Sequence, residues 1–370
     1  MLEVFSNKLI LITGNTGFKG SWLTAWLLRQ GAKVIGLSKD IPSSPSHFEA
    51  ANMGDRITQT WGNIEDLGTC QQLIQQYQPD FIFHLAAQPL VRQSYREPHT
   101  TFTTNVVGTL NILEALRLSN HSCTAILITS DKCYDNVEQV WGYRETDRLG
   151  GKDPYSGSKG ASELVIRSYA ASYFGASGSP VRVAVGRAGN VIGGGDWASD
   201  RIVPDTMRAW SSDQPVLIRN PHATRPWQHV LEPLSGYLTL AAKLANNSLL
   251  NGETFNFGPS AEQNYTVANL LNSMQQHWTN AAWTDCSNPE SLYEAGLLKL
   301  CCDKALHYLG WKPILTFKET VALTTQWYQA YYSDSRDVWS VTQEQIACYE
   351  TYAQERQSVW TISCASPATS

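Results

Sequence analysis

Two short segments carry side chains that are able to move protons. In the first, Ser130, Asp131 and Lys132 are consecutive and follow an apolar run, so that a hydroxyl, an acid and an amine stand together. In the second, Tyr155 and Lys159 are four residues apart at the start of a predicted helix, where such residues face the same side. A tyrosine whose phenolate is stabilised by an ammonium can act as a base. The alternatives are a solvated turn for the first segment and an ordinary surface pair for the second.

A glycine-rich turn lies near the N-terminus. Gly14, Gly17 and Gly20 fall at every third position between an apolar run and an amphipathic stretch. Such a turn lets the backbone approach a pyrophosphate, and the free N–H groups of the following helix then bind the phosphates. An ordinary turn between a strand and a helix would not need three glycines in this register. The turn therefore predicts a dinucleotide-binding site.

The residues after the second predicted strand bear on which dinucleotide is bound. Asp40 stands close to where an acid binds the ribose hydroxyls of NAD. The strand is predicted to end at Ser38, however, so that Asp40 comes two residues late and beside Lys39, which would tolerate a 2′-phosphate. We expect NAD, with NADP as the alternative.

Short apolar runs alternate with helical patterns through the first half of the chain. Runs of this kind are typical of strands buried on both faces, and their alternation with helices predicts a doubly wound, parallel α/β sheet of Rossmann type. We predict a dinucleotide-binding domain over 1–189, a smaller substrate-binding α/β domain over 190–340 with some elements returning to the main sheet, and a C-terminal extension over 341–370 with a disordered end. The predicted strands are Leu9–Thr13, Lys33–Ser38, Phe81–Ala87, Ala125–Ser130 and Val181–Gly186.

Composition limits the classes of function. The net charge of −5 argues against a nucleic-acid-binding protein, which needs a basic face. The eight cysteines follow no disulfide or metal-binding spacing, which predicts reduced thiols, a cytoplasmic location and no metal site. No apolar run approaches the ~18 residues of a membrane span, and the N-terminus lacks the pattern of a signal sequence. We therefore expect no membrane association.

Taken in order, these segments resemble the extended short-chain dehydrogenase/reductase family of NAD-dependent epimerases and dehydratases. The glycine turn and the tyrosine–lysine pair are shared by the whole superfamily. The triplet 130–132 and the segment Arg225–Val230 are more similar to the nucleotide-sugar 4,6-dehydratases that act on CDP-glucose. The resemblance runs from about residue 5 to residue 335. It is also carried by Gly14–Leu23, His84–Gln88 and Trp141–Asp147.

The resemblance implies a role for each residue at the reacting end. Tyr155 would take the proton of the sugar's C4 hydroxyl, with Lys159 as its partner and Ser130 as a donor to O4. Asp131 would protonate the departing C6 hydroxyl, and Lys132 would act at C5. Hydride would leave C4 for NAD and return to C6. The product would be a 4-keto-6-deoxy sugar for deoxysugar and O-antigen synthesis.

The same resemblance assigns a set of residues to the dinucleotide. Two of them depart from the family's pattern, because Asn15 stands where the branch often has histidine and Asn63 where relatives often have aspartate. Asn105 would support the site from behind. The set is Gly14, Asn15, Thr16, Gly17, Phe18, Lys19, Gly20, Ser38, Asp40, Asn63, Ile64, Ala86, Ala87, Gln88, Asn105, Tyr155 and Lys159.

The nucleotide end of the substrate would lie under the second domain. Arginine binds phosphate oxygens in pairs, so Arg201, Arg219 and Arg225 are candidates for the diphosphate, with an ordinary surface arginine as the alternative for each. Asn190 and His229 complete the predicted substrate set, although His229 would serve equally as a packed core histidine. The expected partners are a CDP-linked glucose and further copies of the chain, as a homodimer or homotetramer through helices near residues 105–119 and 159–174.

Two other functions compete with this one. A nucleotide-sugar 4-epimerase needs the tyrosine and the lysine but no acid–base pair to expel water, so Asp131 and Lys132 argue against it. A dinucleotide-sensing protein without catalysis would be expected to lose Tyr155 or Lys159, and both are present. The identity of the nucleotide base rests on the resemblance alone.

Overall fold

Seven strands form one parallel sheet within residues 1–176, 178–287, 297–333 and 336–361, which are the residues described by the computed structural model. Residues 363–370, the predicted disordered end, lie outside that range. The strands of this sheet are β1 (Leu9–Thr13), β2 (Lys33–Ser38), β3 (Thr58–Trp61), β4 (Phe81–His84), β5 (Cys123–Ile128), β6 (Val181–Ala188) and β11 (Thr254–Phe257).

Shorter strands pair outside this sheet. The pairs are β7 (Val191–Ile192) with β10 (Gln228–His229), β8 (Val216–Ile218) with β13 (Trp283–Asp285), and β9 (Thr224–Arg225) with β12 (Tyr265–Thr266). These pairs belong to the part of the chain after residue 190. The strand β11 comes from the same part but pairs with β6 in the main sheet.

The helices connect the strands. They are α1 (Phe18–Arg29), α2 (His47–Ala50), α3 (Leu67–Tyr77), α4 (Val91–Arg96), α5 (Pro98–Phe102), α6 (Gly108–Leu118), α7 (Pro154–Tyr169), α8 (Ile202–Trp210), α9 (Leu231–Asn246), α10 (Val267–Gln275), α11 (Phe317–Ser333) and α12 (Val338–Glu355). Short 3₁₀ helices span Leu2–Phe5, Met53–Arg56, Asp131–Cys133, Ser248–Leu250 and Val359–Thr361. Single π-helical turns span Thr103–Val107, Ala170–Phe174 and Ala305–Leu309. No helix in the described ranges is long and apolar enough to cross a membrane.

The order of the strands creates a crevice. The sheet runs β11-β6-β5-β4-β1-β2-β3. The chain therefore adds β2 and β3 on one side of β1 and then adds β4 and the later strands on the other side. In an open parallel sheet, ligands bind outside the carboxyl ends of the strands at such a switch point, here between β1 and β4. The doubly wound Rossmann-type sheet predicted from the sequence is confirmed.

The two faces of the sheet carry separate apolar cores. Side chains alternate between the faces of a strand, and in β1 Ile12 joins the core that contains Trp22 and Trp26 of α1, whereas Leu11 joins the core that contains Leu113 of α6. Helices therefore cover both faces. This burial explains why β1 is apolar from Leu9 to Ile12.

The last helix of the described chain lies against the first helix of the sheet domain. The Glu350 carboxylate of α12 accepts hydrogen bonds from Trp26 Nε1, Arg29 Nε and Gln30 Nε2, each at 2.9 Å. The Trp26 ring also packs edge-on against Trp360, at 5.7 Å between centroids. The predicted C-terminal extension thus begins as a helix that covers α1.

A buried ion pair joins α7 to β6. Arg187 donates from Nε and Nη2 to the two carboxylate oxygens of Glu163, at 2.8 and 2.9 Å, and both side chains are 3% exposed. The Thr129 hydroxyl also donates to Glu163, and Arg187 donates to the Tyr134 hydroxyl at 2.6 Å. These bonds fasten both ends of the segment that contains Ser130–Lys132.

We expect Arg187→Met to lower the free energy of unfolding by ~3–5 kcal/mol, because the substitution leaves the Glu163 carboxylate buried without its counter-charge. Equilibrium denaturation measures this loss. The control is Arg336→Met, which breaks an exposed pair with Glu344 and should cost less than ~1 kcal/mol. Equal losses of free energy in the two variants would contradict a larger contribution of the buried pair to stability.

Candidate active site

The two proton-transfer segments meet at the carboxyl edge of the sheet. Ser130 follows β5, and Tyr155 is the second residue of α7, which begins with Pro154. The helix start is fixed by Asp153, whose side chain accepts from the N–H of Ser156 at 3.0 Å. Proline suits the first position of a helix because its missing N–H would have no partner there.

In the first segment, the hydroxyl of Ser130 and the amine of Lys132 both approach the same carboxylate oxygen of Asp131. Ser130 Oγ donates to Asp131 Oδ1 at 2.9 Å, and Lys132 Nζ lies 3.6 Å from the same oxygen. The Asp131 side chain is 4% exposed, whereas that of Lys132 is 34% exposed. The segment 130–132 is therefore a hydrogen-bonded turn at the carboxyl edge of the sheet, in which the Asp131 carboxylate is buried and the Lys132 amine is partly exposed.

The tyrosine and lysine of α7 have strongly perturbed acidities. Burial raises the pKa of the Tyr155 phenol to about 12, and its hydrogen bond with Ser130 opposes the rise. Burial lowers the pKa of the Lys159 ammonium to about 8, and the Glu163 carboxylate opposes that fall. Opposed shifts of neighbouring groups in a cleft are typical of catalytic sites.

Positive charge concentrates at this edge. Burial and then the nearby Arg201 and Lys159 lower the pKa of Lys19 to about 8, with Lys132 adding to the fall and Asp131 opposing it. Four basic side chains, Lys19, Lys132, Lys159 and Arg201, thus lie near one another, with Asp131 and Asp196 as the nearby carboxylates. Such a site favours an anionic ligand.

The glycine turn leaves no room for side chains. Gly14 has φ +73°, and a Cβ there would lie 2.7 Å from the backbone nitrogen of Ala86, which follows β4. A Cβ on Gly20 would lie 2.1 Å from the Gly14 carbonyl oxygen. Gly17 precedes α1 and makes no side-chain cap, so the first N–H groups of the helix face the crevice. This backbone surface fits a dinucleotide pyrophosphate.

The departure from the family's pattern at Asn15 has a structural explanation. Its amide accepts from Ser38 Oγ at 2.8 Å and donates to Gln59 at 2.7 Å, and it occupies the space above Gly36. This buried polar group joins the ends of β1, β2 and β3. The side chain acts here as a tie between strands.

The remaining predicted cofactor residues lie around the crevice. The Thr16 hydroxyl donates to the Asp40 carbonyl at 2.8 Å, and the Asp40 side chain is exposed just after β2, which ends at Ser38 as predicted. Asn63 follows β3, where its side chain accepts from the N–H of Glu65, and Ile64 is buried beneath Gly108.

Asn105 is hydrogen-bonded behind the crevice. Its Oδ1 accepts from the N–H of Gln88 at 2.8 Å, and its Nδ2 donates to Ser158 Oγ of α7 at 2.8 Å. It therefore ties the loop after β4, which includes Ala86 and Ala87, to the helix that carries Tyr155.

The predicted substrate residues lie on different elements and loops of the structure. Arg201 lies with the catalytic cluster, where Asp196 accepts its Nη1–H at 2.8 Å. Arg219 is exposed in the loop after β8, and Arg225 is half-buried on β9, where it donates to the Thr224 carbonyl. His229 is fully buried, with its ring edge-on to Trp22 at 5.9 Å, which is the placement of a packed core histidine.

Asn190 follows β6 at the same edge. Its carbonyl accepts the N–H of Gln228 at 3.2 Å, so its backbone links the catalytic edge to β10. No group of three or more histidine, cysteine, aspartate or glutamate side chains is placed to hold a metal ion within the described ranges.

Sequence reasoning missed several residues that support the site. Arg187 and Glu163 were detectable in principle, because an arginine at a buried position of an apolar strand requires a buried partner. His84 was also missed, although it bridges Thr13 and Thr109 at 2.7 and 3.1 Å below the glycine turn. Its role depends on contacts between distant segments, which the sequence does not mark.

Residues 11–324 match the GDP-mannose 4,6 dehydratase family. The chain belongs to that family. Among its relatives, a CDP-glucose 4,6-dehydratase of Salmonella typhimurium is 44% identical over 330 residues, which cover 88% of this chain and 92% of that protein. A CDP-paratose 2-epimerase of Salmonella typhi is 27% identical, covering 86% of this chain and 98% of that protein.

Solved structures from this group share the fold. A UDP-glucose 4-epimerase of Thermotoga maritima superposes with a TM-score of 0.73 at 23% identity, covering 87% of this chain and 99% of that one. A dTDP-glucose 4,6-dehydratase of Bacillus anthracis in complex with NAD gives 0.72 at 20% identity, covering 90% and 99%.

We expect Gly20→Ala to weaken dinucleotide binding by about tenfold or more, because the added Cβ displaces the Gly14 carbonyl from the pyrophosphate surface. Titration of NAD into the folded variant measures this change. Gly54→Ala is the matched control, because its Cβ would meet nothing closer than Phe48 Cζ at 3.7 Å. Unchanged NAD affinity in Gly20→Ala would mean that the turn does not hold the dinucleotide.

Proposed function

We propose that the chain acts as an NAD-dependent CDP-glucose 4,6-dehydratase, a hydro-lyase that converts CDP-D-glucose to CDP-4-keto-6-deoxy-D-glucose and water. The observation that carries the proposal is the acid–amine pair Asp131–Lys132 held beside Tyr155 and Lys159 at the crevice. The Salmonella relative at 44% identity supports the substrate. An epimerase needs only the tyrosine–lysine half of this arrangement.

The glycine turn supports NAD as the resident cofactor. The pyrophosphate would lie on Gly14, Gly17 and Gly20, and the exposed Asp40 would face the adenosine ribose. When bound, NAD accepts hydride from C4, returns it to C6, and adds a positive charge beside the phenol. Tighter binding of NADP than of NAD in direct titration would contradict the role of Asp40.

Tyr155 is the proposed base for the C4 hydroxyl. Its pKa of about 12 in the free protein keeps the phenol protonated, so phenolate must be stabilised when ligands bind. The hydrogen bond between Ser130 and Tyr155 already lowers the pKa of the phenol, the N-terminus of α7 favours negative charge, and Lys159 lies one helical turn along. Ser130 would also bind the sugar O4.

Asp131 and Lys132 are proposed to carry out the elimination. A ketone at C4 makes the C5 proton acidic and places the C6 hydroxyl β to a carbonyl. Lys132, the more exposed of the two, would remove the C5 proton as a neutral amine, and Asp131 would protonate the departing C6 oxygen as a neutral acid. Lys132 would then return a proton to C5 as hydride is delivered to C6. Each such group typically contributes ~10²–10⁴-fold to a rate.

The diphosphate is proposed to bind Arg201 and Arg225. Arg201 is held by Asp196 beside the catalytic cluster, and Arg225 lies on β9 beyond Asn190. The exposed Arg219 would assist from the loop after β8. Because the His229 side chain is fully buried, we propose no direct contact between His229 and the substrate.

We propose a cytoplasmic homodimer. The seven described cysteines are unpaired, as expected in a reducing compartment. The exposed side chains of Phe102 and Val107 line one surface hollow with Ala161 of α7, and a second copy of this surface would cover it. A monomeric mass in solution for the full chain would contradict the dimer.

We expect the wild-type protein to remove one water from CDP-glucose without net formation of NADH, and Tyr155→Phe to lose ~10²–10⁴-fold in turnover while it keeps NAD binding. Mass spectrometry of the product and NAD titration measure the two effects. A panel with UDP-glucose, dTDP-glucose and GDP-mannose tests which nucleotide base the enzyme accepts.

Tyr308→Phe, at an exposed tyrosine, is the control and should retain full turnover. A product with the mass of the substrate would favour an epimerase. More than about a tenth of wild-type turnover in Tyr155→Phe would exclude the phenol as the base.

We expect Lys132→Met to oxidise C4 but not to exchange the C5 proton. The absorbance of reduced nicotinamide should then rise on mixing with CDP-glucose, with neither release of water nor incorporation of deuterium from heavy water at C5. Rapid exchange at C5 in this variant would make Lys132 a binding residue and leave both proton transfers to Asp131.

A further inference from the structure

Tyr237 carries a buried hydroxyl that no residue of the described chain binds. The side chain lies on α9, is 0% exposed, and its hydroxyl oxygen has no hydrogen-bond partner. A buried hydroxyl without a partner destabilises a fold, whereas phenylalanine would fill the same space without that cost. The hydroxyl therefore calls for an explanation outside packing.

The ring of Tyr237 extends along β6 toward the catalytic edge. A Cβ on Gly186 would lie 2.8 Å from Tyr237 Cδ1, so the ring occupies the place of a side chain on that strand. The ring is also edge-on to Phe257, at 5.6 Å between centroids. Phe257 is the last residue of β11 and is in register with Ala188, the last residue of β6. The phenol thus spans the final residues of β6.

Asp131 lies at that same edge. A Cβ on Gly189, the residue after β6, would lie 3.0 Å from Asp131 Oδ2. Two glycines near the end of β6 therefore make room for a tyrosine and a carboxylate. Asp131 and Tyr155 are the charged or titratable neighbours whose field reaches the Tyr237 phenol.

The Tyr237 hydroxyl and the Asp131 carboxylate are complementary as hydrogen-bond donor and acceptor. Asp131 Oδ1 accepts from Ser130 and faces Lys132, but no described residue donates to Oδ2. The Tyr237 hydroxyl is a buried donor without an acceptor, and the contacts that Asp131 makes with Ser130 and Lys132 both use Oδ1 and leave Oδ2 available as an acceptor. A direct hydrogen bond, or one water between them, would satisfy both groups.

We propose that Tyr237 is a positioning residue for Asp131: its hydroxyl donates to Oδ2, directly or through one buried water, and holds the carboxyl toward the C6 oxygen. The inference rests on the proposed function, in which Asp131 protonates that oxygen during elimination. Tyr237 transfers no proton to the sugar itself. Its effect is confined to the step in which Asp131 acts.

The test is Tyr237→Phe in the full-length protein. We expect C4 oxidation to continue and elimination to slow about tenfold or more, so that reduced nicotinamide accumulates after mixing with CDP-glucose. The thermal midpoint should fall only modestly, because the ring is kept and one hydrogen bond to the Asp131 carboxyl is lost. Wild-type kinetics in every step would overturn the proposal.

Tyr349→Phe is the matched control. Tyr349 is also a fully buried tyrosine, but its hydroxyl is bonded to Glu232 and Ser235 away from the site. This variant should have a lower thermal midpoint and should accumulate no reduced nicotinamide. Accumulation in both variants would assign the effect to loss of stability and would overturn the positioning role.

A double-mutant cycle with Asp131→Asn separates the mechanisms. If Tyr237 acts through Asp131, then Tyr237→Phe should change the elimination rate no further in the Asp131→Asn background. An equal fold-loss in both backgrounds would mean that the phenol touches the substrate directly, against the proposal.

The same cycle is also measured on the free energy of unfolding of the protein without substrate. If the wild type fails to dehydrate CDP-glucose, the proposed function is wrong, and this stability cycle alone decides the contact. Non-additive effects of the two substitutions support a contact between Tyr237 and Asp131, and additive effects overturn it.

Discussion

The buried pair between Glu163 and Arg187 is the interaction on which the arrangement of the site depends. Two opposite charges removed from water are tolerated only when their geometry and remaining hydrogen bonds are satisfied, and here both carboxylate oxygens and three guanidinium nitrogens are bonded. Through Thr129 and Tyr134 the pair holds both ends of the segment 130–132. Through α7 it also holds Lys159, whose charge the Glu163 carboxylate favours.

The charge distribution around that pair explains how a protein of net charge −5 accepts an anion. Lys19, Lys132, Lys159 and Arg201 meet at one edge, with Asp131 and Asp196 as the nearby carboxylates. Burial makes the positive charge of Lys19 and Lys159 costly in the free protein, which lowers their pKa values. A bound diphosphate and dinucleotide would supply the missing negative charge, so ligand binding and ionisation of the site are coupled.

The sequence predicted the elements whose signal is local. The bounds of β1 and β2 agree with prediction, because both strands are buried on both faces and end at recognisable turns. The strand β3 was missed, since it is a polar edge strand with exposed ends. The predicted strand Phe81–Ala87 ends at His84 instead, where the chain turns into the crevice. Local apolar runs do not report where a strand leaves the sheet.

The same limit applies to the site. The glycine turn and the segments around Asp131 and Tyr155 were visible because each is a short motif with its own spacing. Arg187, His84 and Tyr237 were not, because their importance comes from partners 24 to 71 residues away or from the lack of one. Tertiary contacts of this kind are fixed only when the sheet has formed.

The packing of α12 on α1 has a consequence for synthesis of the chain. The helix α1 leaves the ribosome long before α12, so Trp26 has neither Glu350 nor Trp360 to contact until more than 300 further residues have been made. Domains otherwise tend to fold from the N-terminus as they emerge. Here the helix that begins at the glycine turn is covered by α12, which is translated 324 residues after Trp26 when counted to Glu350, so a nascent chain that stalls before α12 exposes part of its apolar core.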